Sequence, residues 1–413
     1  MPFLTNYLHY NKANEVPDIF TFWGGIFLLS SVAQRRVYIS LSESLDSYQR
    51  IHPMLYFGFI GSPASGKSYA KDRAREIFEE AVPLYPQGAS SQSKEVIVKE
   101  LSEPESIITF ENEKGEQITT HSLTFFINEL KNWLSINPLG MIDFLTDVYD
   151  THSYQAKTIK HGSQTIERPC INILACEVPE WIQKQFKMDI LSGGFARRFI
   201  PVYYPHGRIH KADQSLLAEH LEARRLCVEH LQKISTIVGR FTWSKEAWRY
   251  YAHWYETTNF ESPNKLMSQF NSSLNTTAVK VAMALALNED EPQLILTLQN
   301  IQDAIGALKN LEPSMLALFS SIGRNEFMPV ISRLLLTLKQ NHGRMLDSDL
   351  LKELTNDVTV TEFGTILYQL ERSNQIVKKF CELKQKNPET GETTSTAGNW
   401  IMTIEYAIKH GVK

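Results

Sequence analysis

Residues 61–68, Gly61-Ser62-Pro63-Ala64-Ser65-Gly66-Lys67-Ser68, decide the fold of this chain. They fit the spacing G-x-x-x-x-G-K-[ST], and the flanks supply the context that spacing needs. The apolar run Leu55–Ile60 ahead of them reads as a strand, and KSYAKDRAREIFEEA behind them reads as a helix. Glycines let backbone N–H groups wrap an anion at a helix N-terminus, where the peptide dipoles favour negative charge. In that arrangement the Lys67 ammonium offsets the β- and γ-phosphates of ATP, and the Ser68 hydroxyl ligates Mg²⁺. The loop, with Tyr69 just beyond it, is the expected nucleotide site.

Outward from the loop, apolar runs alternate with helical stretches as far as about Tyr204. The further strand candidates are Ile107–Phe110, Leu123–Ile127, Cys170–Ala175 and Phe199–Tyr203. That alternation predicts an α/β sheet. The second of these runs ends in Asn128-Glu129. A P-loop needs a strand ending in acid, and Glu129 is placed to act as general base and to contact Mg²⁺. Asn128 stands where Asp is usual; it orients a metal-bound water without supplying charge. An ordinary buried strand with a capping acid is the plainer alternative. Arg197 and Arg198 precede the last strand, where a guanidinium can reach the γ-phosphate of a neighbouring subunit; surface arginines are the alternative there. Between these blocks, Ser153-YQAKTIKHGSQTIERP alternates around a central glycine and reads as a β-hairpin.

The rest of the chain divides by pattern. Residues 1–50 read as largely helical, with Trp23, Ile26 and Phe27 at helical spacing. The apolar run Phe20–Ala33 is broken by Gly24-Gly25 and falls short of the roughly 20 residues of a membrane span, so it reads as a buried helix. Residues 51–212 hold the P-loop core, and 213–324 form a helical lid region in which Trp243, Trp248 and Trp254 are core residues. Residues 325–413 read as a winged helix: runs at Met328–Lys339, Asp347–Leu354 and Thr361–Ser373, then Gln375–Leu383, a polar loop and Trp400–Ile404. Thr361–Arg372 is its candidate recognition helix, and Lys378, Lys379, Lys384 and Lys386 are wing cations diluted by Glu362, Glu371 and Glu382. DNA contact and protein docking both stay open for this part.

With 42 basic against 46 acidic residues in 413, the net charge of −4 excludes a uniformly basic nucleic-acid coat but not a local basic groove. Four cysteines without a C-x-x-C pair, and no H-E-x-x-H, argue against a disulfide framework or a structural zinc and fit a reducing cytoplasm. The start MPFLTNYLHYNKANE lacks the basic region of a cleavable signal.

Taken in order, GSPASGKS, FFINELKNWL, FLTDVYDTHSYQAKTIKHGSQTIERPCINILACEVPEWI and GGFARRFIPVYY resemble one group of P-loop proteins. It is the helicase-like module of phage, plasmid and island replication proteins, often found behind a primase and similar to AAA+ ATPases of the MCM type. The resemblance spans roughly Pro17–Ser320, and ERPCINIL…PEW and GFARRF are its specific blocks. It implies a homo-oligomeric, hexameric ring that translocates single-stranded or forked DNA through a central pore, with nucleotide between subunits. A primase or replication initiator is the implied partner, and no membrane is involved. By position, Lys67 and Ser68 are the Walker A pair, Asn128 and Glu129 the Walker B pair, and Arg198 the arginine finger with Arg197 as second candidate. The hairpin would project into the pore, with Lys157, Lys160 and His161 on the phosphate backbone; a solvated hairpin is the alternative. The group usually has Thr two residues before the PEW proline, and here that residue is Glu177. Either Glu177 carries the carboxylate that Asn128 lacks, or hydrolysis is weakened and the protein is a nucleotide switch; the plainer alternative to the first has Glu177 turned towards solvent or towards an arginine of a neighbouring subunit. With about 60 residues ahead of the P-loop, primer synthesis by this chain is not expected.

Overall fold

The structure, a computed structural model, describes all residues except 44–48, 135–136, 159–161, 188–193, 208, 321–326, 356, 387–392 and 412–413. The chain forms two compact units, Met1–Ile322 and Gly323–Lys413, of mixed α/β composition.

The first unit opens with helices α1 (Phe3–Asn11) and α2 (Asp18–Ala33), then strands β1 (Val37–Ser40), β2 (Arg50–Ile51) and β3 (Tyr56–Gly61). Helices α3 (Lys67–Ala81) and α4 (Lys94–Ser102) lead to β4 (Ile107–Glu111) and β5 (Gln117–Ile127). After α5 (Leu130–Trp133) and α6 (Pro138–Val148) come β6 (Ser153–Thr158), β7 (Gly162–Glu167) and β8 (Pro169–Glu177), then α7 (Pro179–Lys187) and β9 (Phe199–Tyr204).

The five strands expected from the sequence make one sheet, in the order β4-β5-β8-β3-β9. Strands β5, β8, β3 and β9 run parallel, and β4 pairs antiparallel with β5. In the central strands every residue of YFGFIG and PCINILACE is buried, the continuous apolar reading of a strand covered on both faces. Helix α2 is buried along nearly its whole length. Its aromatic residues lie on the sheet, Phe20 against Phe59 and Trp23 against Phe57 with ring centroids 4.8 and 5.6 Å apart.

Residues 37–40 and Arg50, within the segment read as largely helical, are instead in strands. β1 pairs with β2 and with β10 (Gly239–Arg240). Val37 and Ile39, both β-branched and fully buried, suit a strand that covers the core edge. The unit closes with α8 (Ala218–Ile234), β11 (Thr242–Trp243), α9 (Lys245–Thr257), α10 (Lys265–Asn271), α11 (Leu274–Leu287), β12 (Ile295–Leu296) and α12 (Leu298–Ser320). Segments 1–50, 51–212 and the helical region after 212 share one hydrophobic core, which includes Trp23, Phe57, Trp243 and Trp254.

In the second unit, α13 (Met328–Gln340), β13 (Arg344–Leu346), α14 (Asp347–Leu354) and α15 (Val360–Arg372) precede β14 (Ile376–Lys386), β15 (Thr393–Thr403) and α16 (Ile404–Lys409). The strands form an antiparallel sheet in the order β13-β15-β14. Strand β13 and helix α16 had no counterpart in the sequence reading. Glu362 is a cap: its carboxylate accepts the Thr359 N–H and hydroxyl, while Thr359 Oγ1 accepts the Glu362 N–H. Among the described residues, no helix is long and apolar enough to cross a membrane.

Candidate nucleotide site

Gly61 ends β3 and Gly66 opens α3, so residues 62–65 form a turn directly over the first helical N–H groups. Gly66 has φ +86°, and a Cβ there would stand 2.8 Å from the Glu15 carbonyl oxygen; only glycine meets both demands. Lys67 is nearly buried and its Nζ donates to the Ser62 carbonyl at 3.0 Å, while Ser68 and Tyr69 are exposed. The Ser65 hydroxyl is buried without a hydrogen-bond partner among the described residues. A cavity of about 370 Å³ opens here, lined by Ala64–Tyr69 together with Glu15 and Gln214. Tyr69 fixes one wall, since its hydroxyl donates to Asn14 Oδ1 at 3.1 Å. Neither Glu15 nor Gln214 carries a sequence signal; a crossing of the chain brings them there, with the Lys211 N–H donating to Glu15. Cys176, whose thiol burial pushes up to about 12, is a neutral neighbour of Ser68 and Lys71.

Strand β8 lies between the P-loop strand and β5. Ile60 is in register with Glu177, and Ile127 with Ala175, so the segment after β5 passes beside Glu177. Asn128 and Glu129 are both exposed there. The Glu129 carboxylate accepts from Asn132 Nδ2 at 2.9 Å and pairs with Lys131 at 3.2 Å.

Glu177 is not turned towards solvent. It is 3% exposed, and its two carboxylate oxygens accept the backbone N–H groups of Lys131 at 2.7 Å and Val178 at 2.9 Å. Burial raises its carboxyl above the ordinary range, and the two N–H donors pull the other way. The side chain is a clamp that ties the turn after β5 to the end of β8.

Arg197 and Arg198 sit at the other end of β9. Phe199 is in register with Tyr56 and Tyr204 with Gly61; five steps at about 3.3 Å put Arg198 more than about 16 Å from its own P-loop. The Phe199 ring lies over Gly58, where a Cβ would come within 2.2 Å of it, and that contact fixes the strand. Arg198 Nη1 donates to the Gly194 carbonyl at 2.8 Å and the guanidinium stacks on Tyr149. Arg197 is exposed.

The hairpin consists of β6 and β7, paired from Ser153↔Glu167 to Thr158↔Gly162. Lys157 lies in β6 opposite Ser163; Lys160 and His161 lie outside the described residues. His9, Glu219 and His220 hold ligand atoms within 4.8 Å of one another, but His220 Nδ1 already accepts the Leu217 N–H. No protein-family model matches this chain, and no curated protein matches it.

Proposed function

We propose that this protein is an ATP hydrolase that moves along DNA, a ring-forming helicase or translocase of a replicating mobile element. The observation that carries the reading is the junction of three strand ends: the P-loop after β3, Glu177 ending β8, and Asn128-Glu129 after β5. Under it, Gly61–Ser68 hold the triphosphate, Lys67 offsets its charge, Ser68 binds Mg²⁺ and Glu129 activates water. An AAA+ fold has the sensor strand between the P-loop and Walker B strands, and the order β3-β8-β5 supports that assignment. The position of Arg197 and Arg198 supports a finger that acts on a neighbour's nucleotide, since neither reaches the nucleotide of its own chain. The hexameric ring, the DNA-lined pore and a primase or initiator partner follow from the same reading. The C-terminal unit, with three helices and a long β-hairpin, is read as a winged helix.

A second reading, an ATP-dependent switch or loader on DNA with weak hydrolysis, has its own observation. Asn128 is uncharged and both Glu177 oxygens are engaged by backbone N–H groups, which leaves Glu129, whose carboxylate has no backbone donor among the described residues. ATP-dependent displacement of a labelled strand from a forked duplex separates the two. Displacement supports the helicase, whereas a tight ATP complex with negligible turnover supports the switch.

A further inference from the structure

Arg168 precedes β8 and Glu177 ends it, so nine steps of about 3.3 Å set the two roughly 30 Å apart. At the Arg168 end lies a second cavity, of about 740 Å³. Its lining holds five cations, Arg35, Arg36, Arg50, Lys114 and Arg168, against two acids, Glu113 and Glu116. Both acids are engaged: Glu113 accepts the Arg240 N–H and Glu116 accepts from Asn112. Among the described residues, Arg35, Arg36, Lys114 and Arg168 form no ion pair.

Arg35 is the least expected of them. It is 5% exposed, donates from Nη2 to the Thr151 carbonyl at 2.8 Å, and has no hydrogen-bond partner at Nε among the described residues. The acid nearest to compensating it, Asp150, is paired with Lys280 at 3.1 Å. The Arg36 guanidinium lies over Tyr85 and Phe110, and its Nε is also without a partner. Burial of a cation whose nearest carboxylate is already engaged by another cation is unfavourable unless an anion joins it. Such a cluster in a chain of net charge −4 is the arrangement of a site that receives its anion from outside.

We propose that this cavity is a second anion site, distinct from the P-loop, that takes phosphate groups. Guanidinium forks match phosphate oxygens in pairs, which a halide or a single carboxylate does not exploit as fully. Tyr38, with Arg50 stacked on it at 4.4 Å, and Phe110 add aromatic faces suited to a base. The phosphate arrives on a nucleic-acid strand or on a free solute. His152 and Arg168, which immediately flank the two hairpin strands, both line the cavity. That location favours the strand, an emphasis that rests on the DNA reading above; the anion site itself does not.

The test uses the full chain carrying Lys67→Ala, so that the P-loop does not contribute. Binding of a labelled oligothymidylate is followed by anisotropy and binding of inorganic pyrophosphate by calorimetry. Adding Arg36→Gln with Arg168→Asn should weaken binding by about tenfold or more at moderate salt. The salt slope for the oligonucleotide should fall by about 0.7 for each phosphate contact removed. Arg168→Asn alone guards against misfolding: the side chain is exposed, φ is +45°, and asparagine tolerates that conformation. It should weaken binding with an unchanged melting temperature. Loss of the oligonucleotide alone identifies a strand, and parallel loss of pyrophosphate identifies a free phosphate solute as well. Failure of both probes to bind the Lys67→Ala protein, or parental affinity for both in both variants, overturns the proposal. Neither failure bears on ATP hydrolysis, which the Lys67→Ala background removes from the measurement.

Discussion

The sheet of the first unit offers cationic ground at both of its ends, built in opposite ways. At the P-loop end one lysine sits in a contiguous eight-residue motif, and the backbone supplies the remaining donors. At the other end the donors are side chains from residues 35–36, 50, 114 and 168, brought together by the order of the strands. A site of the first kind is written in one place and survives changes around it. One of the second kind would exist only when β1, β2, β4, β5 and β8 are all in position, so its affinity and the fold would be tied together.

The largest effects belong to the contiguous end. Glu129→Gln should keep ATP binding and lower turnover by about 10²–10⁴-fold, the range for loss of a general base. Wild-type hydrolysis in that variant would remove Glu129 from the chemistry. Lys67→Ala should abolish nucleotide binding in a filter or calorimetric assay, and turnover with it, because it removes the charge that offsets the β- and γ-phosphates. Retained ATP affinity would undo the assignment of the P-loop.

The two ends meet across subunits if the arginine finger acts in trans. Mixtures of Arg198→Ala and Lys67→Ala subunits should then recover part of the hydrolysis that each lacks alone. Mixtures that assemble yet stay inactive would reassign the finger, and the exposed Arg197 is the next to test in the same way.

Glu177 gives a smaller and more discriminating effect. As a clamp on the turn that carries Glu129, it should cost about tenfold in kcat when changed to Thr, in line with about 1.4 kcal/mol for a hydrogen bond to a charged acceptor. Adding Asn128→Asp should not restore it. Recovery in the double variant, read as a coupling energy, would show instead that Glu177 supplies the carboxylate that Asn128 lacks.

How far each feature was legible follows from the same contrast. The strand and helix that flank residues 62–66 could be read outright, because a local motif needs only its neighbours. The five sheet strands were also legible, since buried parallel strands are unbroken apolar runs. β1 was not: four residues after Arg35-Arg36 give no period, and their pairing with β10 is a partnership across 200 residues. The clamp by Glu177 was equally hidden, because it depends on β5 and β8 being adjacent and on a backbone N–H no sequence displays. Glu15 and Gln214 at the cavity over residues 64–69, and Arg35, Arg36 and Arg168 at the other, are ordinary residues until the chain folds.

The smallest effect concerns pH. Burial, with Arg35 close by, holds the His52 imidazole well below its ordinary range, and burial lowers His230 as well. Below about pH 6.5 the unfolded chain binds protons that the folded one refuses, so stability is full above that value and falls as pH drops. The slope is at most about 1.4 kcal/mol per pH unit for each imidazole. His52→Gln, which keeps a donor for the Val37 carbonyl, should flatten part of the decline in urea unfolding between pH 7 and about 5.5. An unchanged pH slope would mean that His52 is protonated as readily in the fold as outside it.

The most direct test of the central claim is the rate of ATP hydrolysis with and without single-stranded DNA, measured for the native chain and for Glu129→Gln side by side. A helicase or translocase should show a basal rate that DNA raises and that Glu129→Gln lowers by about 10²–10⁴-fold under both conditions. A rate indifferent to DNA, or one undiminished in Glu129→Gln, would contradict that reading.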